Sequence, residues 1–152
     1  MAGKAGLKAG LIGAAIMVVV TVISRLVPMA GALVYVSCGV SSLLYIGVGI
    51  LAGFFLAAPR TAGKGAGAGA IAGLVSGGIS GAVGAAILLI QVSRGGGIPG
   101  LDPQQMQQLA ESGMDPQLLT TIGAVCGLTG GLAIGAGLAA AGGAILASLK
   151  PD

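Results

Sequence analysis

The feature that most constrains this chain is the length of its uncharged stretches. Residues 9–24, 26–59, 65–93 and 116–149 contain no Asp, Glu, Lys or Arg. A helix that crosses the hydrocarbon core of a bilayer needs about 20 largely apolar residues. Only 7% of the residues are charged, whereas a soluble domain carries about 25%. We therefore expect residues 1–152 to form a single membrane domain whose main partner is the lipid bilayer.

Turn and capping residues divide the chain into helices. Pro28 suits the first turn of a helix, where a missing amide costs little, and Pro59 would end that helix. Asp115 followed by Pro116 is a capping pair that predicts another helix start. The prediction is an all-α, integral membrane four-helix bundle with helices at about 7–26, 29–57, 65–92 and 117–147.

The basic residues predict an orientation for these helices. Lys and Arg are enriched in cytoplasmic loops. One side of the predicted bundle carries five of them, namely Lys4, Lys8, Arg60, Lys64 and Lys150. The other side carries two, Arg25 and Arg94. We therefore expect both termini in the cytoplasm, in a cell inner membrane crossed several times.

The only extended polar segment is the predicted outer-side loop at about 94–116. Asp102 and Pro103 can start a short helix at about 103–112, and Gly113 can close it. The simpler interpretation is a short helix that rests on the bilayer or on the bundle. The alternative is a docking site for an external partner.

The sequence contains an internal repeat. CGVSSLLYIGVGI at 38–50 matches CGLTGGLAIGAGL at 126–138, and MVVVTVISR at 17–25 matches AILLIQVSR at 86–94. Helices 1–2 therefore correspond to helices 3–4. Because each copy has two spans, the prediction is two tandem helical hairpins in the same orientation, related by an axis along the membrane normal.

Glycine recurs at every fourth residue of the third and fourth helices, which places each set on one helix stripe. Such stripes let two backbones approach closely and predict antiparallel packing of these helices. A smaller stripe in the second helix runs through Tyr45, Gly49 and Gly53. The predicted helix-packing residues are Gly65, Gly69, Gly73, Gly77, Gly81, Gly123, Gly127, Gly131, Gly135 and Gly143.

The residue types needed for most chemistry are scarce. The chain has no His. No Asp, Glu, Lys or Arg falls near the middle of a predicted span, where pumps and ion-coupled carriers usually place one. Eight hydroxyl side chains in the predicted spans are expected to bond to preceding backbone carbonyls, namely Ser37, Ser41, Ser42, Ser76, Ser80, Thr120, Thr121 and Thr129. We predict that the protein is not an enzyme, with no catalytic, cofactor or metal site, and that it binds no nucleic acid.

The two cysteines form a candidate thiol pair. Cys38 and Cys126 occupy equivalent places in the repeat. If helices 2 and 4 touch there, a disulfide or a soft-metal site would follow. The alternative is that both are small apolar packing residues, as buried Cys usually are.

The glycine stripes and a last span of the type GLTGGLAIGAGLAAAGGA resemble those of the small Gly-rich four-helix membrane proteins of archaea and bacteria, which have no assigned function. The stripes are also similar to the glycine-zipper class of spans. This resemblance implies a four-helix bundle in a prokaryotic inner membrane, and it carries over no functional residues.

Two functions remain open from the sequence. The first is a structural or accessory membrane protein, as a homo-oligomer or as a subunit of a larger membrane complex, which the glycine stripes and the lack of buried charge favour. The alternative is a small channel or carrier for ions or small solutes, which the repeat and the Ser residues of the second helix favour.

Overall fold

The computed structural model describes residues 2–26, 32–94 and 115–150, with single positions between 104 and 113. These ranges form four long helices and contain no strand, which confirms the all-α class. The helices are α1 (Ala2–Leu26), α2 (Ala32–Phe54), α3 (Ala62–Ser93) and α4 (Pro116–Leu149). Residues 29–31 and most of the predicted loop and short helix at 94–116 lie outside the described residues.

The helix ends differ from the predicted ones where side chains near the ends interact with the backbone. α3 begins at Ala62 rather than at residue 65, because the Thr61 hydroxyl accepts a hydrogen bond of 3.4 Å from the Lys64 amide. α2 ends at Phe54 rather than at residue 57. Arg60 donates there to the carbonyl oxygens of Leu56, at 2.8 Å, and Phe54, at 3.4 Å, and so satisfies carbonyls at the helix end.

Helices that follow one another in the chain alternate in direction. α3 and α4 are antiparallel, since Gly65 lies against Gly143 and Gly73 against Gly135. α1 runs parallel to α3, because Gly6 and Gly10 of α1 lie against Ala68 and Ala72 respectively. α2 runs parallel to α4, because Gly49 and Gly53 of α2 lie against Ala139 and Gly143 respectively. The end of the bundle at which α1 and α3 begin carries Lys4, Lys8, Arg60, Lys64 and Lys150 and is called the basic end below.

The packing departs from the two-fold relation that the repeat predicts. A two-fold axis would make the α1–α2 contact equivalent to the α3–α4 contact. Among the described residues, α3 and α4 share the most extensive contact and α1 and α2 the least extensive of the five main ones. The alignment of residues 17–25 with residues 86–94, continued back along both helices, indicates why the two contacts differ. The positions of α1 that correspond to Gly73, Gly77 and Gly81 are Lys4, Lys8 and Ile12.

The interior of the bundle is built from small side chains. Ala9, Ala52, Ala68 and Ala139 are fully buried, and the largest fully buried side chain among the described residues is Ser76. Large aliphatic side chains point outward on every helix, for example Leu11, Ile50, Leu74 and Ile134. Soluble domains bury such residues, so this distribution suits an apolar solvent.

Three of the helices are long and apolar enough to cross a membrane. These spans are Ala2–Ser24, Ala62–Ser93 and Thr120–Leu149. The apolar part of α2 found in the described residues, Cys38–Phe54, is shorter. Length and composition thus identify three candidate spans, and the crossing of the membrane by α2 stays a prediction.

Two glycines of α3 provide a matched test of the close packing. A methyl group at Gly69 would collide with the carbonyl oxygen of Ala139, whereas a methyl group at Gly67 would meet no atom within 4 Å. We expect Gly69→Ala to lower the free energy of unfolding by about 1–3 kcal/mol. Gly67→Ala should leave it unchanged or raise it by up to about 1 kcal/mol, because Ala favours helix. Thermal unfolding in detergent, followed by circular dichroism, measures both, and equal effects would contradict the packing.

Candidate functional site

The closest helix contact lies in the half of the bundle next to the basic end. Added methyl groups at Gly65 and Gly143 would each collide with the carbonyl oxygen of the other residue. At Gly73 such a group would collide with the carbonyl oxygen of Gly135. The α3 and α4 backbones therefore touch directly over more than two turns, a separation that any larger residue would prevent.

A third helix joins this contact at Gly143. A methyl group at Gly143 would lie 3.3 Å from the carbonyl oxygen of Gly49 in α2. One turn of α4 thus packs against α2 and α3 at once. Gly142 supports it on the α2 side, because an added methyl group there would collide with the Ile46 carbonyl oxygen. Close approach of this kind is held by dispersion and Cα–H···O contacts.

The Tyr45 ring marks the point where the tight contact ends. A methyl group at Gly135 would lie 2.6 Å from ring atom Cε1 of Tyr45, and one at Gly77 would lie 3.3 Å from the Tyr45 hydroxyl oxygen. These two glycines therefore make room for a side chain of α2, in addition to bringing α3 near α4. The sequence predicted a packing role for Tyr45 without locating its partners.

Beyond Tyr45, α3 and α4 move apart. The nearest α4 backbone atom to a methyl group at Gly77 is the Gly131 carbonyl oxygen, at 3.6 Å, and at Gly81 it is the Leu128 Cα, at 4.0 Å. The two helices leave a crevice of about 220 Å³ lined by Gly81, Gly84, Gly123 and Gly127, among others. The two backbones are thus in direct contact over one half of the stripes and are farther apart over the other, where the Leu128 side chain makes the contact, with Cδ1 2.6 Å from a methyl group at Gly81.

The predicted packing glycines fall into two groups. Seven of them have neighbouring atoms where a methyl group would be placed, namely Gly65, Gly69, Gly73, Gly77, Gly81, Gly135 and Gly143. The other three, Gly123, Gly127 and Gly131, would place a methyl group in open space. Sequence reasoning missed Gly6, Gly10 and Gly13 of α1, which contact α3 and α2. Their spacing of four and three residues was an available signal.

The buried hydroxyl groups of α3 bond to their own helix. Ser76 donates to the Ala72 carbonyl oxygen at 2.9 Å, and Ser80 donates to that of Ser76 at 2.8 Å. Ser42 and Thr129 do the same in α2 and α4. This confirms the backbone bonding predicted for these four residues and leaves the hydroxyls serving the helix rather than a ligand.

The two thiols are not joined in the structure. Cys38 and Cys126 are both free, and both side chains are exposed on the outside of the bundle. Their exposure also differs from the buried packing role that was the alternative interpretation. Among the described residues, no three His, Cys, Asp or Glu side chains are grouped so as to hold a metal ion.

Comparison with known proteins gives no match: no protein-family model fits the chain, and no curated protein or solved structure is detectably similar to it. The function of the protein is therefore inferred from the packing of its helices.

The Tyr45–Gly135 contact can be tested with a double-mutant cycle. We expect Gly135→Ala to destabilise the protein, because the new methyl group meets the Tyr45 ring. In the Tyr45→Ala background the same change should cost much less, which gives a coupling energy of about 1–3 kcal/mol. Thermal unfolding in detergent supplies the four stabilities. Additive effects would show that the ring does not occupy this space.

Proposed function

We propose that this protein is a structural or accessory integral membrane protein that assembles with copies of itself or with a larger membrane complex. In this proposal all four helices cross an inner membrane and the basic end faces the cytoplasm. The exposed aliphatic side chains and the interior of Ala, Gly and Ser support a lipid environment, since exposed apolar surface of this extent is unusual in water. The five-to-two distribution of basic residues supports the orientation.

We further infer that the bundle consists of two tandem hairpins in the same orientation. The parallel contacts of α1 with α3 and of α2 with α4 support this, because each pair joins corresponding helices of the two copies.

The observation that most supports assembly is an outward stripe of glycine on α4. Gly123, Gly127, Gly130 and Gly137 lie on one face at 3.6 residues per turn. Gly123 and Gly127 line the open crevice beside α3, and an added methyl group at each of the four would meet no atom within 4 Å. A glycine that faces lipid lowers helix propensity without making a compensating contact. A glycine that faces another helix lets the two backbones approach closely. The stripe is therefore where we place the partner helix.

The packing gives less support to a channel within one molecule. A path along the bundle axis would have to pass between Gly65 and Gly143 and between Gly69 and Ala139, where backbones touch. The described interior also holds no charged side chain. A conducting or carrying role would require these helices to separate, so the structural role is the function that the geometry supports best.

Adjacent residues of α4 provide the test of assembly. We expect wild-type protein, purified from its native membrane in mild detergent, to run as an assembly in native mass spectrometry. Gly130→Leu should release the monomer, because the new side chain blocks close approach at the stripe. Thr129→Leu is the control, since Thr129 is exposed on a different face and bonds only its own helix. A wild-type monomer that co-purifies with nothing would contradict the proposal.

A further inference from the structure

An outward stripe of α1 changes from charged to apolar along its length. Lys4, Lys8, Ile12 and Ile16 recur every fourth residue, and all four side chains are exposed. This spacing places them on one stripe that drifts slowly around the helix. The cations lie at the basic end and the isoleucines lie deeper along α1. In the repeat, the first three take the places of the α3 stripe glycines Gly73, Gly77 and Gly81.

The apolar part of the stripe borders a crevice between α1 and α2. Its volume is about 240 Å³, and its α1 wall is formed by Ile12, Gly13, Ile16 and Met17. The α2 wall lies within residues 43–51, and no charged side chain lines the crevice. Ile12 follows Lys8 by one turn, or about 6 Å along the axis. A positive surface and an apolar crevice are therefore continuous on this side of the bundle.

The two lysines have no acidic partner in the described part of the chain. The acidic residues Asp102, Glu111 and Asp115 precede α4, and Asp152 follows it. α1 packs mainly on α2 and α3 rather than on α4. Within the described residues, no carboxylate thus offsets the positive charge of Lys4 and Lys8.

We propose that this side of the first hairpin binds an anionic phospholipid. The ammonium groups of Lys4 and Lys8 hold the headgroup phosphate, and an acyl chain lies in the α1–α2 crevice. Long Lys side chains reach the headgroup level while their stems lie along apolar surface, and basic sites between membrane helices suit anionic headgroups. The inference rests on the proposed membrane location and adds a ligand to it.

The repeat explains why the lipid would bind this hairpin rather than the other. The second hairpin has a crevice of similar size at the corresponding place, beside Gly81, but its stripe carries Gly73 and Gly77 where the first hairpin has Lys4 and Lys8. In the first hairpin, larger side chains keep α1 and α2 less closely packed. The first hairpin therefore combines a crevice with two cations beside it, whereas the second has a crevice without them.

The test uses native mass spectrometry of the purified full-length protein with dioleoyl phosphatidylglycerol, dioleoyl phosphatidylcholine or glycerol phosphate. Wild type should prefer the phosphatidylglycerol, and Lys4→Gln and Lys8→Gln should each weaken its binding by about fivefold. Lys64→Gln, the same charge change at the same end but on α3, should leave binding unchanged. Glycerol phosphate, which lacks acyl chains, should not bind measurably.

Two glycines of α2 test the crevice. A side chain at Gly47 or Gly39 would meet no atom within 4 Å, but only Gly47 lines the crevice. Gly47→Leu should weaken binding of both lipids, and Gly39→Leu should not. Thermal unfolding of each variant establishes that it is folded.

Three results would overturn the lipid proposal: equal losses for Lys64→Gln and Lys8→Gln, wild-type binding by Gly47→Leu, or binding of glycerol phosphate as tight as that of lipid. Alkaline extraction of native membranes separates this proposal from the membrane location. Release of the protein by alkali contradicts the location itself, whereas retention without any lipid preference contradicts the lipid site alone.

Discussion

Direct contact between helix backbones at Gly143 is the interaction on which the rest of the bundle depends. α2 and α3 both approach α4 there, through Gly49 and Gly65, and no side chain separates the three helices. In water, glycine-rich helices of this length would be disfavoured by propensity. In a bilayer an unfolded backbone has no water to bind, so helix is retained and glycine becomes useful for packing. Because the backbones are in contact, large aliphatic side chains have no room between the helices and face outward, and the interior consists mainly of small residues.

The direct contact between the α3 and α4 backbones extends over only half of the bundle, and the proposed functional surfaces follow from this asymmetry. Next to the basic end, α3 and α4 touch and leave no passage. Beyond Tyr45 the two backbones lie farther apart, and the α4 glycines Gly123, Gly127 and Gly130 have no neighbouring atom where a methyl group would be placed. In the first hairpin the corresponding stripe carries Lys4, Lys8 and Ile12 in place of glycine. If the two hairpins are copies of one unit, as we propose, the stripe of one copy packs against a helix and the stripe of the other is the surface that we assign to a lipid.

The sequence predicted the helices, their alternation and the glycines near the basic end, because charge spacing and a four-residue period depend on local sequence. It missed the start of α3, since Thr61 acts through one local hydrogen bond that hydropathy does not register. It also could not separate Gly73 from Gly127. Both have the same spacing, but a methyl group at Gly73 would meet the backbone of Gly135, whereas one at Gly127 would meet no atom within 4 Å, a difference that depends on how the helices pack. Cys38 and Cys126 were paired by the repeat, although both are free and exposed.

The central claim is that α3 and α4 touch near the basic end and separate beyond Tyr45. Spin-label distances in nanodiscs test it directly, in a chain with Cys38→Ser. One pair joins Lys64→Cys to Ala144→Cys in a chain that also carries Cys126→Ser, and the other joins Ala82→Cys to the native Cys126. In both pairs the two residues stand opposite each other in the same antiparallel register as Gly65 and Gly143. The two pairs lie about five full turns apart along the helices, so the labels have the same orientation in each pair. The account predicts a shorter and narrower distance for the first pair. Equal distances, or a shorter distance for the second pair, would contradict it.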